Sequence, residues 1–293
     1  MSRAIALEAE ADTPALPAVR GLIFDVDGTL LLSDRTLGGY ELLPGAVETL
    51  EAFRARGIPF ALLTNGSAYP PAEHAARLRA IGLPVADGQL VTPSSVAADL
   101  MRRRGIRRAL VLGIRGVGQA LHDAGVETVY TGEPGATEVD AVYVGWHPKC
   151  AMPDIEAACH AIWAGAKLYV ASDVPFFATR GGRSIGYSYA IVGAIRRMTR
   201  APMILTGKPS LHAMRFVARQ LGLPMRAIGV VGDDPLVEIL MAHRARATAV
   251  GVTTGVTTLE EWSRQPAQRR PHRVLARLPE LLSLVAVAGP ALR

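Results

Sequence analysis

Two carboxylates, Asp25 and Asp27, stand at the end of a short apolar run, residues 21–24. Side chains at positions i and i+2 project from the same side of an extended strand. Gly28 and Thr29 let the backbone turn away, which leaves both acids at the carboxyl end of the strand, where open α/β sheets place their ligand crevice. A bound hard cation such as Mg²⁺ would relieve the repulsion between the two acids. An acidic turn after a strand would also contain Asp and Gly, so the string alone leaves both interpretations open.

A second apolar run, residues 58–63, ends in Thr64, Asn65 and Gly66 and is followed by a helical pattern. A hydroxyl, an amide and a glycine N–H placed before a helix N-terminus can form a cradle for an anion. An ordinary strand-to-helix loop would have a similar composition. The segment is therefore weak evidence by itself.

One lysine stands out in a chain that uses arginine for almost every other basic position. The chain has 29 Arg and only three Lys, and Lys208 lies between Gly207 and Pro209 at a predicted strand-to-helix turn. A compact ammonium can touch a phosphate oxygen and a carboxylate together, which the wide fork of arginine does less well. Chance placement of one lysine in three is the alternative.

A third apolar run, residues 227–232, ends in Asp233 and Asp234, and Pro235 suits the first turn of the following helix. Asp233 could supply a further carboxylate to Mg²⁺. Asp234 is interpreted either as a residue that positions the metal ligands without binding the metal itself, or as the N-cap of the helix.

These four strand ends, carrying Asp-x-Asp, Thr, Lys and Asp in that order, resemble the four motifs of the haloacid dehalogenase (HAD) superfamily. Within it the chain is similar to the NagD-like phosphatases that carry a type IIA cap. The matching segments are FDVDGTL (24–30), LLTNGS (62–67), TGKPS (206–210) and VVGDD (230–234). The resemblance implies an α/β fold, in which a Rossmann-like parallel-sheet core domain carries an inserted α/β cap domain of this type.

The chemistry expected of such a site is phosphoryl transfer. Asp25 is the expected nucleophile and forms an aspartyl-phosphate, while Asp27 protonates the leaving oxygen and then activates water. The resemblance implies that Mg²⁺ contacts the side chain of Asp25, the backbone carbonyl of Asp27 and the side chain of Asp233. Positive charge and N–H groups for the phosphate are expected from four residues: Thr64, Asn65, Gly66 and Lys208.

The fourth motif departs from the family pattern, which usually places an Asp, often after Thr, five residues beyond the metal-binding Asp. Val237 and Glu238 occupy these positions. The extra methylene of Glu238 motivates an alternative function, a catalytically weak binding or regulatory protein. Phosphoryl transfer to an acceptor other than water shares every motif and also stays open. A metal-free dehalogenase is disfavoured, because it would need neither the second acid nor Asp233.

The composition is typical of a cytoplasmic enzyme that acts on small molecules. The 293 residues carry a formal charge of +6, but the charges are scattered apart from the cluster at residues 102–108. That cluster is interpreted as a solvated helix end, and no nucleic-acid partner is expected. Two cysteines do not make a disulfide framework, and the sequence contains no apolar segment of membrane-spanning length. Residues 1–19 are predicted to form a disordered extension and not a signal peptide.

The strand and helix patterns divide the chain into a core, at about 20–87 and 203–293, and an inserted cap, at about 88–202. Predicted core helices cover 44–56, 70–81, 210–221 and 235–245, while cap strands are predicted at 109–113, 141–145 and 167–171 and cap helices at 93–104, 116–124, 153–164 and 187–199. The glycines at 113–118 do not fit a dinucleotide-binding fingerprint. Four cap residues are candidates for substrate contact: His147, Asp173, Arg183 and Tyr187. For each of them, a plain loop or packing role is the alternative. The expected substrate is a small phosphorylated metabolite, such as a sugar phosphate, a nucleoside monophosphate or phosphoglycolate, and a homodimer stays open.

Overall fold

Short strands alternate with helices along the chain and assemble into two parallel sheets. The computed structural model describes residues 19–34, 39–179 and 182–285, apart from the side chains of Ala178, Thr179 and Arg183. In chain order the strands are β1 (Gly21–Phe24), β2 (Leu31–Ser33), β3 (Tyr40–Leu42), β4 (Phe60–Leu63), β5 (Leu90–Val91), β6 (Arg108–Leu112), β7 (Glu127–Val129), β8 (Ala141–Val144), β9 (Lys167–Val170), β10 (Phe176–Thr179), β11 (Gly182–Ile185), β12 (Met203–Leu205), β13 (Ile228–Gly232), β14 (Thr248–Val252) and β15 (Arg273–Leu275).

The first sheet has six parallel strands in the order β15-β14-β13-β1-β4-β5. Every residue of β1 is buried, because successive side chains enter hydrophobic clusters on opposite faces of the sheet. Leu22 and Phe24 pack on one face, and Ile23 packs on the other. A strand covered on both faces has an apolar residue at every position, which explains why its sequence shows no alternation.

The second sheet has five parallel strands in the order β12-β9-β8-β6-β7. Its central strands follow the same rule: Leu110 and Leu112 of β6 pack on one face, while Ala109 and Val111 pack on the other. Two antiparallel hairpins, β2–β3 and β10–β11, stand outside both sheets.

Helices cover the faces of the two sheets. Their starts follow local sequence rules: Thr92 and Ser95 form a capping box before α3, and the Ser210 hydroxyl accepts the His212 N–H at the start of α7. The helices are α1 (Ala46–Ala55), α2 (Pro71–Ala80), α3 (Pro93–Arg103), α4 (Arg115–Asp123), α5 (Met152–Trp163), α6 (Tyr187–Thr199), α7 (Leu211–Leu221), α8 (Leu240–Ala245), α9 (Leu259–Ser263) and α10 (Leu281–Leu284). A π-helical turn, Pro235–Ile239, precedes α8.

The predicted fold class is confirmed, and so are the predicted strands and helices within one to three residues at most ends. One exception is the helix predicted at 235–245, whose first half is the π-helical turn. The two hairpins were not predicted. Both hairpins have strands only three or four residues long, which is too short for a periodic signal.

Sheet membership differs from the predicted division of the chain at two strands. β5, which falls inside the predicted cap (88–202), pairs with β4 of the first sheet. β12, which falls inside the predicted core (203–293), pairs with β9 of the second sheet. The division of the chain into core and cap therefore stays a proposal, and sheet membership would move each of its two boundaries by a few residues.

The predicted extension, residues 1–19, lies outside the described residues except for Val19, which is buried in the core of the first sheet. Across the described ranges, no helix has both the length and the apolar content that crossing a membrane requires.

Candidate active site

Three predicted site residues lie at the ends of adjacent strands. β13, β1 and β4 are neighbours in the first sheet, and Asp233, Asp25 and Thr64 are the residues that directly follow them. Because neighbouring strands run about 4.8 Å apart, this order alone brings the three side chains together at one edge. All three residues are buried.

Lys208 reaches this edge from the second sheet, since it follows β12 by three residues. Its ammonium is only 2% exposed and binds Oδ1 of Asp25, while the Thr29 hydroxyl donates to Oδ2 of Asp25 at 3.1 Å. Burial alone would lower the pKa of Lys208, but the carboxylates of Asp25 and Glu238 raise it above its ordinary value. The lysine is therefore a permanent cation beside Asp25.

Asn65 holds the backbone that carries Lys208. Its side-chain oxygen accepts the Lys208 N–H at 2.8 Å, and its side-chain N–H donates to the Lys208 carbonyl at 3.1 Å. Gly207 packs against the same amide so closely that a Cβ atom would overlap it. The Asn65 side chain positions Lys208, and the role of Asn65 in phosphate binding stays a prediction. The Thr64 hydroxyl accepts the Gly66 N–H at 2.9 Å and keeps its own proton available for donation.

Glu238, the departure from the family pattern, is a buried partner of Lys208. Its Oε1 lies 2.7 Å from the lysine Nζ, and its Oε2 accepts the Asp234 N–H at 3.2 Å. The π-helical turn places Glu238 against Gly232, where a Cβ atom would overlap the Glu238 side chain. Asp234 caps this turn, accepting the Leu236 N–H at 2.7 Å.

Asp233 lies in a recess that is open only because two neighbours are glycines. A Cβ atom at Gly28 or Gly255 would overlap the Asp233 carboxylate, and the Val256 N–H donates to its Oδ2 at 2.7 Å. Burial raises the pKa of Asp233 well above its ordinary value, and the charges of Asp25 and Glu238 raise it further. The raised pKa means that the ionised form of Asp233 is unfavourable here, and a bound cation would remove that penalty.

The donor set fits a hard divalent cation. Carboxylate oxygens of Asp25, Asp233 and Glu238 all lie within 4.8 Å of one another, and each of the three residues is buried. Oxygen donors are those that Mg²⁺ prefers. Because Glu238 is already paired with Lys208, Asp25 and Asp233 are the two side chains best placed as ligands.

The Asp27 side chain lines the same cleft and contacts the β2–β3 hairpin. Its Oδ1 accepts a hydrogen bond from the Ser33 hydroxyl at 2.6 Å. Burial raises the pKa of Asp27 to about 6; the Ser33 hydrogen bond lowers it and the nearby charge of Asp25 raises it. A carboxyl group with such a pKa can donate and accept a proton near neutral pH.

The acids lie at the floor of a cleft of about 460 Å³ between the two sheets. Its walls are largely apolar, and among the described residues that line it Lys208 is the only cation. The apolar side chains of these walls come from both sides: Trp146, Val174, Phe176, Phe177, Leu236 and Val256.

The four cap candidates have different positions. Tyr187 lines the cleft, where its ring meets that of Trp146 edge-on with centroids 5.8 Å apart. His147 and Asp173 are not among the residues that line it, and His147 lies beside Asp154 instead. The Arg183 side chain lies outside the described residues.

Sequence reasoning missed Trp146, Ser33 and the loop after β14. Trp146 follows β8 by two residues, and Val256 follows β14 by four. The rule that selected the first three motifs, which looks for polar or unusual residues just after an apolar strand, would have selected both segments. Ser33 had no comparable signal, because its contact with Asp27 depends on the unpredicted hairpin.

Two related family models match the chain on either side of residues 128–204. A haloacid dehalogenase-like hydrolase model matches residues 22–127, and a related HAD-hydrolase-like model matches residues 205–281. The chain belongs to the haloacid dehalogenase-like hydrolases. The matched ranges contain all of the acids and the lysine at the floor of the cleft.

Known relatives of the chain include phosphatases. Mouse chronophin is 27% identical over 270 residues, which cover 89% of this chain and 90% of chronophin. The structure of glycerol phosphate phosphatase from Mycobacterium tuberculosis in complex with magnesium is 27% identical, with a TM-score of 0.78 over 94% of this chain and 80% of that one. NagD from Escherichia coli shares the fold, with a TM-score of 0.78 at 23% identity over 92% of this chain and 99% of its own.

Proposed function

We propose that this protein is a Mg²⁺-dependent phosphatase that hydrolyses a small phosphomonoester through an aspartyl-phosphate on Asp25. One observation carries the proposal: the buried Asp25 carboxylate lies at the closed end of a cleft, bound by Lys208 and Thr29, with the Asp233 carboxylate beside it. A nucleophilic carboxylate in that position needs compensation for the charge of a phosphate dianion, and the site supplies it.

In the first step an Asp25 oxygen attacks phosphorus, and the bond between phosphorus and the leaving oxygen breaks. The Asp27 carboxyl gives its proton to the leaving oxygen, and a pKa of about 6 keeps a useful fraction protonated near neutral pH. Lys208 offsets the negative charge on the transferring oxygens, and Asn65 fixes the position of Lys208.

In the second step water attacks phosphorus of the aspartyl-phosphate, and the bond between phosphorus and Asp25 breaks. Asp27 takes one proton from the attacking water, which restores its starting state as inorganic phosphate leaves. Ser33 holds the Asp27 carboxyl through both steps.

The side chains of Asp25 and Asp233, with the backbone carbonyl of Asp27, would hold Mg²⁺. When bound, the ion supplies positive charge against the negative charge that develops on the phosphoryl oxygens. The recess formed by Gly28 and Gly255 keeps the Asp233 carboxylate free of steric obstruction.

The cleft favours a neutral or apolar leaving group. The walls above the acids carry Trp146, Phe177 and Leu236, and Lys208 is the only cation among the described lining residues. Among the described lining residues, a second anionic group on the substrate would find no cation besides Lys208, and burying an unpaired charge is costly. Glycerol phosphate and aryl phosphates are therefore preferred over phosphoglycolate in this proposal. The names of the relatives, among them a glycerol phosphate phosphatase, support a small phosphomonoester.

The test is phosphate release from a panel of phosphomonoesters with Mg²⁺, with EDTA as the metal-free arm. We expect release that EDTA stops and that Asp25→Asn abolishes. The matched control is Asp87→Asn, because Asp87 is a surface carboxylate in an exposed ion pair with Arg79. No release from any ester by folded, Mg²⁺-binding protein would overturn the proposal. A ranking led by phosphoglycolate would overturn only its substrate class.

The alternative of a catalytically weak scaffold was motivated by Glu238. The 2.7 Å contact of Glu238 with Lys208 supports a working site instead, because the longer side chain reaches the lysine from the π-helical turn.

A further inference from the structure

Three side chains that could bind a metal ion meet at the edge of the second sheet, away from the catalytic acids. His147 and Cys150 lie in the loop between β8 and α5, and Asp154 lies in the first turn of α5. One donor atom from each residue lies within 4.8 Å of the other two. None of the three lines the catalytic cleft.

The spacing of the donors matches a small tetrahedral site. His147 Nε2 lies 3.4 Å from Asp154 Oδ2. Two ligands at the usual zinc–nitrogen and zinc–oxygen distances, set at a tetrahedral angle, are about 3.4 Å apart. The same separation is long for a hydrogen bond, whose N···O distance is about 2.7–3.2 Å.

The imidazole of His147 is uncommitted on both sides. Its Nδ1 is buried and has no hydrogen-bond partner among the described residues, and its Nε2 makes only the long approach to Asp154. Because Nε2 makes no hydrogen bond of ordinary length and lies beside a thiol and a carboxylate, it is available as a metal ligand, while the ring proton stays on Nδ1.

The loop is already folded around this point. The Cys150 N–H donates to the His147 carbonyl at 3.2 Å, which forms a turn that brings both side chains to one side. The Ala151 N–H donates to Asp154 Oδ2 at 2.8 Å and fixes the third donor. Among the described residues, the Cys150 thiol makes one long hydrogen bond, to the neighbouring Ala151 carbonyl at 3.9 Å.

We propose that His147, Cys150 and Asp154 form a second metal site, for Zn²⁺, with water as the fourth ligand. A thiolate and an imidazole are donors that Zn²⁺ accepts and that Mg²⁺ does not favour. The side chains of His147 and Asp154 are 17% and 16% exposed, which leaves the solvent side of the site for water. Binding converts the Cys150 thiol to a thiolate and releases one proton.

The site would stabilise one wall of the cleft. Trp146, the residue before His147, lines the cleft, and its backbone N–H donates to the Ser67 hydroxyl at 3.0 Å. A metal ion that fixes the 147–154 loop therefore limits the movement of Trp146 relative to Ser67, which belongs to the segment after β4. The effect concerns the shape of the cleft and needs no contact with substrate.

The test uses the full chain, stripped with a chelator, and Co²⁺ as a spectroscopic substitute for Zn²⁺. A thiolate ligand gives a sulfur-to-cobalt charge-transfer band, which the all-oxygen site at Asp25 and Asp233 cannot produce. We expect the band in the wild-type protein, its loss in Cys150→Ser, and its displacement by Zn²⁺ but not by Mg²⁺. Cys159→Ser is the matched control, because Cys159 is the other cysteine of the chain and is buried on α5.

Affinity and thiol protection give two further readouts. His147→Ala and Asp154→Asn should each weaken Zn²⁺ binding by at least about 10-fold, measured by competition with a chromophoric chelator. Zn²⁺ should also slow the reaction of Cys150 with an aromatic disulfide reagent in the wild-type protein, a readout that needs no variant to fold. Absence of the charge-transfer band in folded wild-type protein, or equal Zn²⁺ affinity in wild type and Cys150→Ser, would overturn the proposal. Since neither readout depends on turnover, failure here is distinct from failure of the phosphatase proposal.

Discussion

Replacing Glu238 with Asp tests whether this site is built around the longer acid. Asp is the residue that the family pattern usually places five positions after the acid that corresponds to Asp233. The substitution would therefore seem to be a repair. In this structure, however, Glu238 Oε1 lies 2.7 Å from the Lys208 ammonium, and the side chain fills the space over Gly232.

The expected loss of stability and activity follows from the length of one carbon–carbon bond. Removing a methylene withdraws the carboxylate by about 1.5 Å, so the contact with Lys208 lengthens to about 4 Å and ceases to be a hydrogen bond. A hydrogen bond to a charged group is worth about 1.5–3 kcal/mol, and a buried methylene about 0.8 kcal/mol. We expect Glu238→Asp to lower the free energy of unfolding by about 2–4 kcal/mol. Because Lys208 would then be held by Asp25 alone, kcat should fall by about 10- to 100-fold.

The assay combines urea unfolding of the metal-free protein with steady-state phosphate release under saturating Mg²⁺. Glu260→Asp is the control, since Glu260 is exposed and its ion pair with Arg264 is on the surface; its unfolding free energy should change by less than about 0.5 kcal/mol. If Glu238→Asp is as stable as the wild type and equally active or faster, the π-helical turn does not set the position of this acid and the reasoning is wrong.

Two other changes probe the rest of the site, and a third probes His74, a buried residue of α2. Asn65→Ala removes both hydrogen bonds to the Lys208 backbone. It should lower the free energy of unfolding by about 1–3 kcal/mol and should also lower kcat. An unchanged kcat would show that these two hydrogen bonds are dispensable for activity. Gly255→Ala places a methyl group on the Asp233 carboxylate and should weaken Mg²⁺ binding, measured by activity against Mg²⁺ concentration; an unchanged Mg²⁺ dependence would contradict the proposed ligand role of Asp233. Burial lowers the pKa of His74 to about 4, so the unfolded chain binds more protons and stability is lost as pH falls from about 6.5 toward 4. Between pH 7.5 and 4.5 this contributes about 2–3 kcal/mol, which His74→Gln should remove from the pH dependence of unfolding; an identical dependence would argue against a buried neutral histidine.

The motifs at the strand ends were readable because their signal is local. Asp25, Thr64 and Asp233 each follow an apolar run directly, and a parallel sheet brings such strand ends to one edge whatever the rest of the chain does. The fold class could be predicted for the same reason, since buried strands and amphipathic helices are short-range patterns.

The roles of the side chains at the site depended on contacts between distant parts of the chain. Asn65 holds Lys208 across 143 positions, and that lysine follows β12, a strand of the second sheet and not of the first. Sequence composition could nominate Lys208 but not its partners.

The amino-acid sequence by itself determined the layered α/β architecture and nominated the residues that we propose carry the chemistry. Only the tertiary structure decided that Glu238 reaches Lys208 from a π-helical turn, that Ser33 holds Asp27, and that His147 lies beside Asp154 instead of on the cleft. The physical reason is that strand and helix formation depends on near neighbours, whereas the direction of a polar side chain depends on whichever charge or donor the packed chain brings within about 3 Å.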